Sequence, residues 1–292
     1  MRIAAVTFLA GAMLVVPANA LAQTADPSDR GDAADFREHD EDGEPEPYEY
    51  GLDGMPKPSR SLNISAPLLF DTNPAWASSG SSSALLFAPS VAVRYSHPGL
   101  MPGWDLQLDA SADADLFSKD PDEVNEARLT ARATLFHELE DTGTFSLRIM
   151  SRWTYVGEDF SQFDHAQQRY TVSFAPNISD KVGASVSAEY RASPEARERR
   201  FVGTGNIDVT LVESKGLRLG FFQELAFSRF TGGSNDGRTD LLSLSELLLT
   251  PNWSLPNGMR LSFAASLNHR FSNRERSRFT ALQVGPTLGW RF

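Results

Sequence analysis

The chain has 292 residues, a hydrophobic content of 41%, a mean hydropathy of −0.31, no cysteine and a formal net charge of −11. These values exclude a disulfide-stapled miniprotein, an N-terminal lipid-modified cysteine and the basic balance that a nucleic-acid partner requires. They do not exclude a membrane protein made of strands, whose average stays polar because only alternate residues meet lipid.

Residues 1–22 carry one basic residue, Arg2, then an apolar stretch over 3–16, then Pro17 and the small residues Ala18, Ala20 and Ala22. That pattern is a secretory signal peptide cut after Ala20 or Ala22, since the stretch is too short for a membrane span. Residues 23–60 hold twelve acidic and four basic residues and almost nothing to bury. Such a segment cannot recover its ordering entropy and is expected to be a disordered acidic tail. By subtraction residues 61–292 carry a charge of about −4, close to balance, so no nucleic-acid partner is expected there either.

From residue 61 onward the chain reads as twelve segments of period-two alternation: 61–71, 83–96, 104–117, 126–138, 144–156, 168–176, 181–192, 200–212, 216–230, 240–250, 258–271 and 278–292. Many are ten or more residues long, the length a tilted strand needs to cross a bilayer and more than soluble sandwich strands usually have. In the eighth and tenth segments the phase breaks at 202–205 and 246–249, which points to bulges. The connections alternate in character. Long ones lie at 72–82, 118–125, 157–167, 193–199, 231–239 and 272–277, and turn-like ones at 97–103, 139–143, 177–180, 213–215 and 251–257.

The last segment alternates without a slip. Leu282, Val284, Pro286, Leu288, Trp290 and Phe292 share one face, and Ala281, Gln283, Gly285, Thr287, Gly289 and Arg291 the other. Gln283, Gly285, Leu288 and Trp290 fit the pattern polar-x-Gly-x-x-apolar-x-apolar, with Arg291 and the terminal Phe292 beyond it. The chain thereby resembles bacterial outer-membrane β-barrel proteins of the porin-like class, which end on such a closing strand. The resemblance implies an all-β fold, a single twelve-stranded antiparallel transmembrane β-barrel over 61–292, and recognition of Gln283, Gly285, Leu288, Trp290 and Phe292 by the barrel-assembly machinery. It also implies location in the bacterial outer membrane, with the acidic tail and the C-terminus in the periplasm. On that reading Tyr95, Trp104 and Trp290 form one interfacial aromatic belt, and Tyr155, Tyr170 and Tyr190 the other.

Alternation then decides which charges face an enclosed interior, because charges are very costly against lipid. Asp105, Asp109, Asp113 and Asp115 form one inward column, followed by Arg128 and Arg132 and then by Arg148 and Arg152. These eight residues are the expected pore lining. Two readings stay open. In one, acidic and basic walls face each other across an aqueous path, as in general porins; in the other, Asp109 or Asp113 pairs with Arg128 or Arg132 and fills the interior. Twelve strands enclose more room than the side-chain-filled eight-stranded case, which favours some open path. Inward residues assigned elsewhere include Arg94, Arg169, Lys181, Arg191, Arg218, Arg260, Arg270 and Arg291 against Asp71, Glu189, Asp208 and Glu224, so a pore would prefer anions mildly.

An outer-membrane enzyme is the other class of function to weigh, and it needs a general base beside a nucleophile. His97 and His165 read as turn and loop residues, while His137 and His269 continue lipid-side rows; His165 with Asp159 and Asp164 reads as a solvated rim cluster. No catalytic residue, cofactor or metal-ligand spacing is assigned, and the glycines at 232–233 and at 203 and 205 precede no helix that would make a phosphate cradle. The sequence therefore reads as a passive channel for small hydrophilic solutes, with a closed structural or surface-binding barrel as the alternative. Its partners would be outer-membrane lipid and lipopolysaccharide, the latter at basic loops 193–200 and 272–278, and the barrel is a monomer or a homo-oligomer.

Overall fold

The computed structural model describes residues 57–75, 83–119, 125–139, 142–253 and 255–292. The expected signal peptide 1–22 and nearly all of the segment 23–60, expected to be a disordered acidic tail, lie outside the described residues. Thirteen strands follow in order: β1 Ser59–Asp71, β2 Ala84–Phe87, β3 Ser90–Met101, β4 Trp104–Phe117, β5 Glu126–Leu139, β6 Gly143–Val156, β7 Gln162–Pro176, β8 Val182–Ala192, β9 Arg200–Glu213, β10 Leu217–Phe230, β11 Thr239–Pro251, β12 Met259–Ser272 and β13 Phe279–Arg291. Each pairs antiparallel with its neighbours, and β13 pairs with β1, so the sheet closes on itself. Closure removes the exposed edges that an open sheet of this length would leave.

The thirteen strands make twelve staves, as the alternation predicts. β2 and β3 are one stave interrupted at Ala88 and Pro89, where proline has no N–H to give the ladder. The register with β1 is the same on both sides of the break, Leu68 opposite Phe87 and Ser65 opposite Ser90. At the closing seam Ile64 lies opposite Trp290 and Asp71 opposite Gln283, and Leu62 and Phe292 exchange two backbone hydrogen bonds of 3.0 Å. The seam skips its pairs around Gly285 and Pro286, which is where the missing proline N–H falls. Gly285 is required sterically: a Cβ there would run into the carbonyl of Leu68.

One end of the barrel carries tight connections, such as residues 102–103 and 214–216, and the other carries longer ones, such as 193–199 and 231–238. β1 starts and β13 ends at the short-turn end. The connection expected over 157–167 is shorter than the sequence reading, because β7 already begins at Gln162.

The expected bulges in β9 and β11 are not where the phase breaks. The register shifts lie instead at Leu219/Gly220 between β10 and β9, at Thr154/Tyr155 between β6 and β7, and at His97/Met101 between β3 and β4. β11 keeps an unbroken ladder with both neighbours and is locally inside-out. Leu242 and Leu244 face the interior, buried with Val202, Ala226, Phe279 and Ala281, while Ser243 and Ser245 face outward. Elsewhere the outer face is apolar, as at Leu68, Phe70, Val93, Ile149, Val172, Val186 and Leu267, all exposed. That is the pattern hydrocarbon imposes.

Candidate functional site

The inner face is the candidate site, and its charges are organised by register. The aspartates of β4 are held in different ways. Asp105 accepts the Gly99 N–H at 2.7 Å and so ties down the turn at the short end. Asp109 takes the Arg94 guanidinium at 2.7 Å and the Gln107 amide at 3.0 Å. Arg128 sits among three carboxylates, at 2.5 Å from Asp113, 3.1 Å from Asp115 and 3.4 Å from Glu126. The pairing expected for Asp113 and Arg128 is therefore present, and Arg94 supplies the bond to Asp109. Two guanidinium groups thus engage four carboxylates, so the aspartate column is partly compensated.

A basic patch lies on the adjacent staves. Ladder pairs across β5, β6 and β7 set nine inward residues in three rows: Thr130, Arg152 and Gln167; Arg132, Met150 and Arg169; Thr134, Arg148 and Thr171. Four of the nine are arginines disposed around Met150, and none is a carboxylate. Strand spacing of about 4.8 Å separates Arg132 from Arg169 by roughly 10 Å, and a rise of about 3.4 Å per residue separates Arg148 from Arg152 by roughly 14 Å. Arg169 donates to the Gln167 side-chain carbonyl at 3.2 Å, and at the border Thr171 donates to Glu189 at 2.9 Å. Three of the expected lining residues, Arg132, Arg148 and Arg152, thus belong to one patch. The fourth, Arg128, belongs to the acidic cluster.

Exposure along the interior is graded. In the long-loop half the inward side chains are packed, and Arg152, Arg200, Arg238 and Arg270 are among the largest fully buried residues. Toward the short-turn end Asp208, Arg218, Arg260 and Arg291 are exposed. Lys181, expected inward, is instead an exposed turn residue before β8. Arg148 is half-buried where Arg152 is buried, so the arginine patch spans the transition from packed to open interior.

Sequence reasoning did not assign the group that packs the long-loop half. Arg200 and Arg238 both lie over the Phe230 ring, at 4.9 and 4.7 Å from its centroid, and Arg270 lies over Phe279 at 4.6 Å. Arg238 also forks onto Asp240, with bonds of 3.0 and 2.6 Å. The flat guanidinium stacks on an aromatic face while its edge stays available for hydrogen bonds, which is how an interior accepts so many cations. The signal in the sequence was the run of arginines and phenylalanines at the strand ends, but nothing in it says which ring meets which cation.

His165 corrects the sequence reading. It is an inward residue of β7 opposite Thr154, 2% exposed, and not a rim residue. A bulge makes Asp164 the extra residue, which brings its carboxylate to 2.7 Å from His165 Nδ1. The other ring nitrogen faces the Gln167 amide at 3.1 Å. Asp159 stays outside in the exposed connection; hydrogen bonds from the Ser161 side chain and backbone N–H hold its carboxyl below the usual range. The two loops expected to meet lipopolysaccharide are both tied to the connection 231–238: Arg274 donates to the Ser234 carbonyl at 2.5 Å and the Asp236 carbonyl at 3.1 Å, and Asn235 donates to the Arg197 carbonyl at 3.1 Å. A Cβ at Gly233 would strike Arg197, so these glycines serve loop packing. Of the aromatic belts, Trp104 stacks on His137 at 4.8 Å near the short-turn end, and Tyr190 packs on Phe201 at 4.8 Å near the long-loop end.

A closed antiparallel barrel of twelve staves, apolar outside and charged inside, has the fold of an outer-membrane β-barrel. No protein-family model matches the chain, and no curated protein matches it. Among solved structures it is similar to the COG4313 outer membrane channel from Pseudomonas putida F1, with a TM-score of 0.54 at 11% identity over 86% of this chain and 100% of that one. It is also similar to the KdgM porin, with a TM-score of 0.43 at 12% identity over 77% of this chain and 97% of that one. LpxR from Salmonella typhimurium gives 0.44 at 11% identity over 79% of this chain and 99% of that one. At these identities the likeness is one of fold.

Proposed function

We propose that the protein is a passive outer-membrane channel for small hydrophilic anions, with both chain termini on the periplasmic side. The observation that carries the proposal is the β5–β7 patch, four arginines and no carboxylate among nine neighbouring inward positions, set where the interior begins to open. Arginines on a low-dielectric wall raise the local concentration of anions and lower their barrier to passage. Arg94 and Arg128 offset part of the negative charge of Asp109, Asp113, Asp115 and Glu126, which leaves the aspartate column a weaker opponent of the patch than its residue count suggests. The similar fold of the Pseudomonas putida channel supports a conducting role. The periplasmic placement of the termini rests on the short-turn end, since barrels of this class keep their short turns in the periplasm.

A second reading, a closed barrel with a blind vestibule, draws on the buried long-loop half, where Arg200, Arg238 and Arg270 are 1%, 1% and 0% exposed. A hydrolytic role has less support, because the His165 ring is flanked by Asp164 and Gln167, with no serine bonded to it. Planar-bilayer recording of the purified protein separates the first two readings. Discrete conductance steps with a reversal potential toward chloride are expected; the lack of steps, with the barrel intact, selects the closed form, and potassium preference removes the anion reading.

A further inference from the structure

Exposed charge at the long-loop rim is divided between two arcs. The connections 118–125 and 157–161, on the β4–β7 side, hold five acidic residues and one lysine in sequence. Over β9–β13 the exposed charges are instead Arg199, Arg229, Arg276 and Arg278 against Asp236 and Glu275. Two of these arginines are set by loops of the same build. A 3-10 turn, Ala196–Glu198, precedes Arg199, and another, Glu275–Ser277, precedes Arg278. Each arginine donates its Nε to the carbonyl six residues back, Ser193 and Ser272, at 2.8 Å in both. That bond fixes the guanidinium and leaves its paired Nη groups unspent among the described residues, where Arg229 and Arg276 make no side-chain bond at all. The connection 231–238, bonded to both loops, holds them in fixed relation.

Arg229 stands on the lipid face of β10, opposite Phe201 on β9 and Thr239 on β11. Arg199, two residues along from Phe201, is its diagonal neighbour at roughly 7–8 Å. Arg278, three strands away, lies at roughly 14 Å. Toward the middle of the bilayer from these cations, Phe201, Phe227 and Phe271 point outward and are 56%, 52% and 55% exposed. Cations above an apolar wall match a lipid with an anionic head and acyl tails, and arginine forks onto phosphate through two parallel bonds. We infer that Arg199, Arg229 and Arg278 hold the phosphates of a lipopolysaccharide molecule whose acyl chains lie over the three phenylalanines. The spacing suits a head that carries phosphates at both ends of a disaccharide. A soluble anion would gain the arginines but leave the phenylalanines unused. The inference rests on the proposed orientation of the barrel, which puts this rim in the outer leaflet.

Native mass spectrometry of the full-length protein, delipidated by detergent exchange and titrated with bis-phosphorylated lipid A, tests this. The wild type is expected to bind it about tenfold or more tighter than dephosphorylated lipid A, and inorganic phosphate at the same concentration is expected not to displace it. Combining Arg199→Gln, Arg229→Gln and Arg278→Gln should weaken binding by about tenfold or more. Arg60→Gln, which removes an outward cation over Tyr95 at the short-turn end, should leave binding unchanged. Arg229→Gln alone breaks no bond in the loops and should cost about fivefold, which separates the grip on lipid from a loop that failed to fold. Equal affinity for the two lipids, displacement by inorganic phosphate, or full binding by the triple variant overturns the inference. Because the chain has no native cysteine, Ser234→Cys on the same rim reports the orientation through a membrane-impermeant maleimide. Labelling only after lysis removes both the orientation and the inference, whereas labelling of intact cells with unchanged lipid A binding in the triple variant sinks the inference alone.

Discussion

Reversing Arg132 and Arg148 to glutamate tests the electrostatic argument where it is most specific. Both lie in the basic patch next to Met150, Arg132 opposite it across the ladder and Arg148 two residues along the same strand. A unit charge about 6 Å from a passing ion contributes about 0.7 kcal/mol at the dielectric of water. Reversal doubles the change to about 1.4 kcal/mol, a tenfold shift in the permeability of each ion, in opposite directions for anion and cation, for each residue. At 0.15 M salt the Debye length of about 8 Å roughly halves the energy, leaving about threefold for each residue and about tenfold for the pair. The assay is the reversal potential across a potassium chloride gradient in a planar bilayer, repeated at low and high salt. The double variant should move from chloride toward potassium preference, by more at low salt. An unchanged reversal potential in a barrel of normal conductance would refute the assignment of the patch to the ion path, and a salt-independent shift would refute the electrostatic cause.

The remaining predictions concern what holds the barrel together. Arg128→Met leaves Asp113, Asp115 and Glu126 clustered without their shared cation and should cost about 3–5 kcal/mol in urea unfolding, whereas equal unfolding midpoints would show that the cluster is hydrated and cheap to break. Phe230→Ala removes the ring under both Arg200 and Arg238 and should cost about 3–5 kcal/mol and raise conductance; a variant that conducts as before places the constriction elsewhere. Gly285→Ala should impair closure of the seam, while Gly289→Ala on the same strand, whose Cβ would stand 3.8 Å from the Ile64 carbonyl, should assemble normally. Protease resistance of the two proteins in vesicles decides this, and equal resistance contradicts the steric reading of the seam.

The sequence alone determined much of this protein, because hydrocarbon leaves little choice. Strand 104–117 was legible to the residue at both ends, as were the inward direction of Asp109, Arg132 and Arg152 and the even number of staves, since a period of two beside lipid admits one inside and one outside. Tertiary structure decided what depends on pairing between distant segments. Arg94 reaches Asp109 because β3 and β4 align at that register; Asp164 and His165 meet because a bulge inserts one residue opposite Thr154. The leucines of β11 turn inward because its ladder with β10 and β12 holds the register through the apparent phase break. Alternation is a property of one strand, but register, bulges and ring-on-cation contacts belong to pairs of strands, and no single segment encodes them.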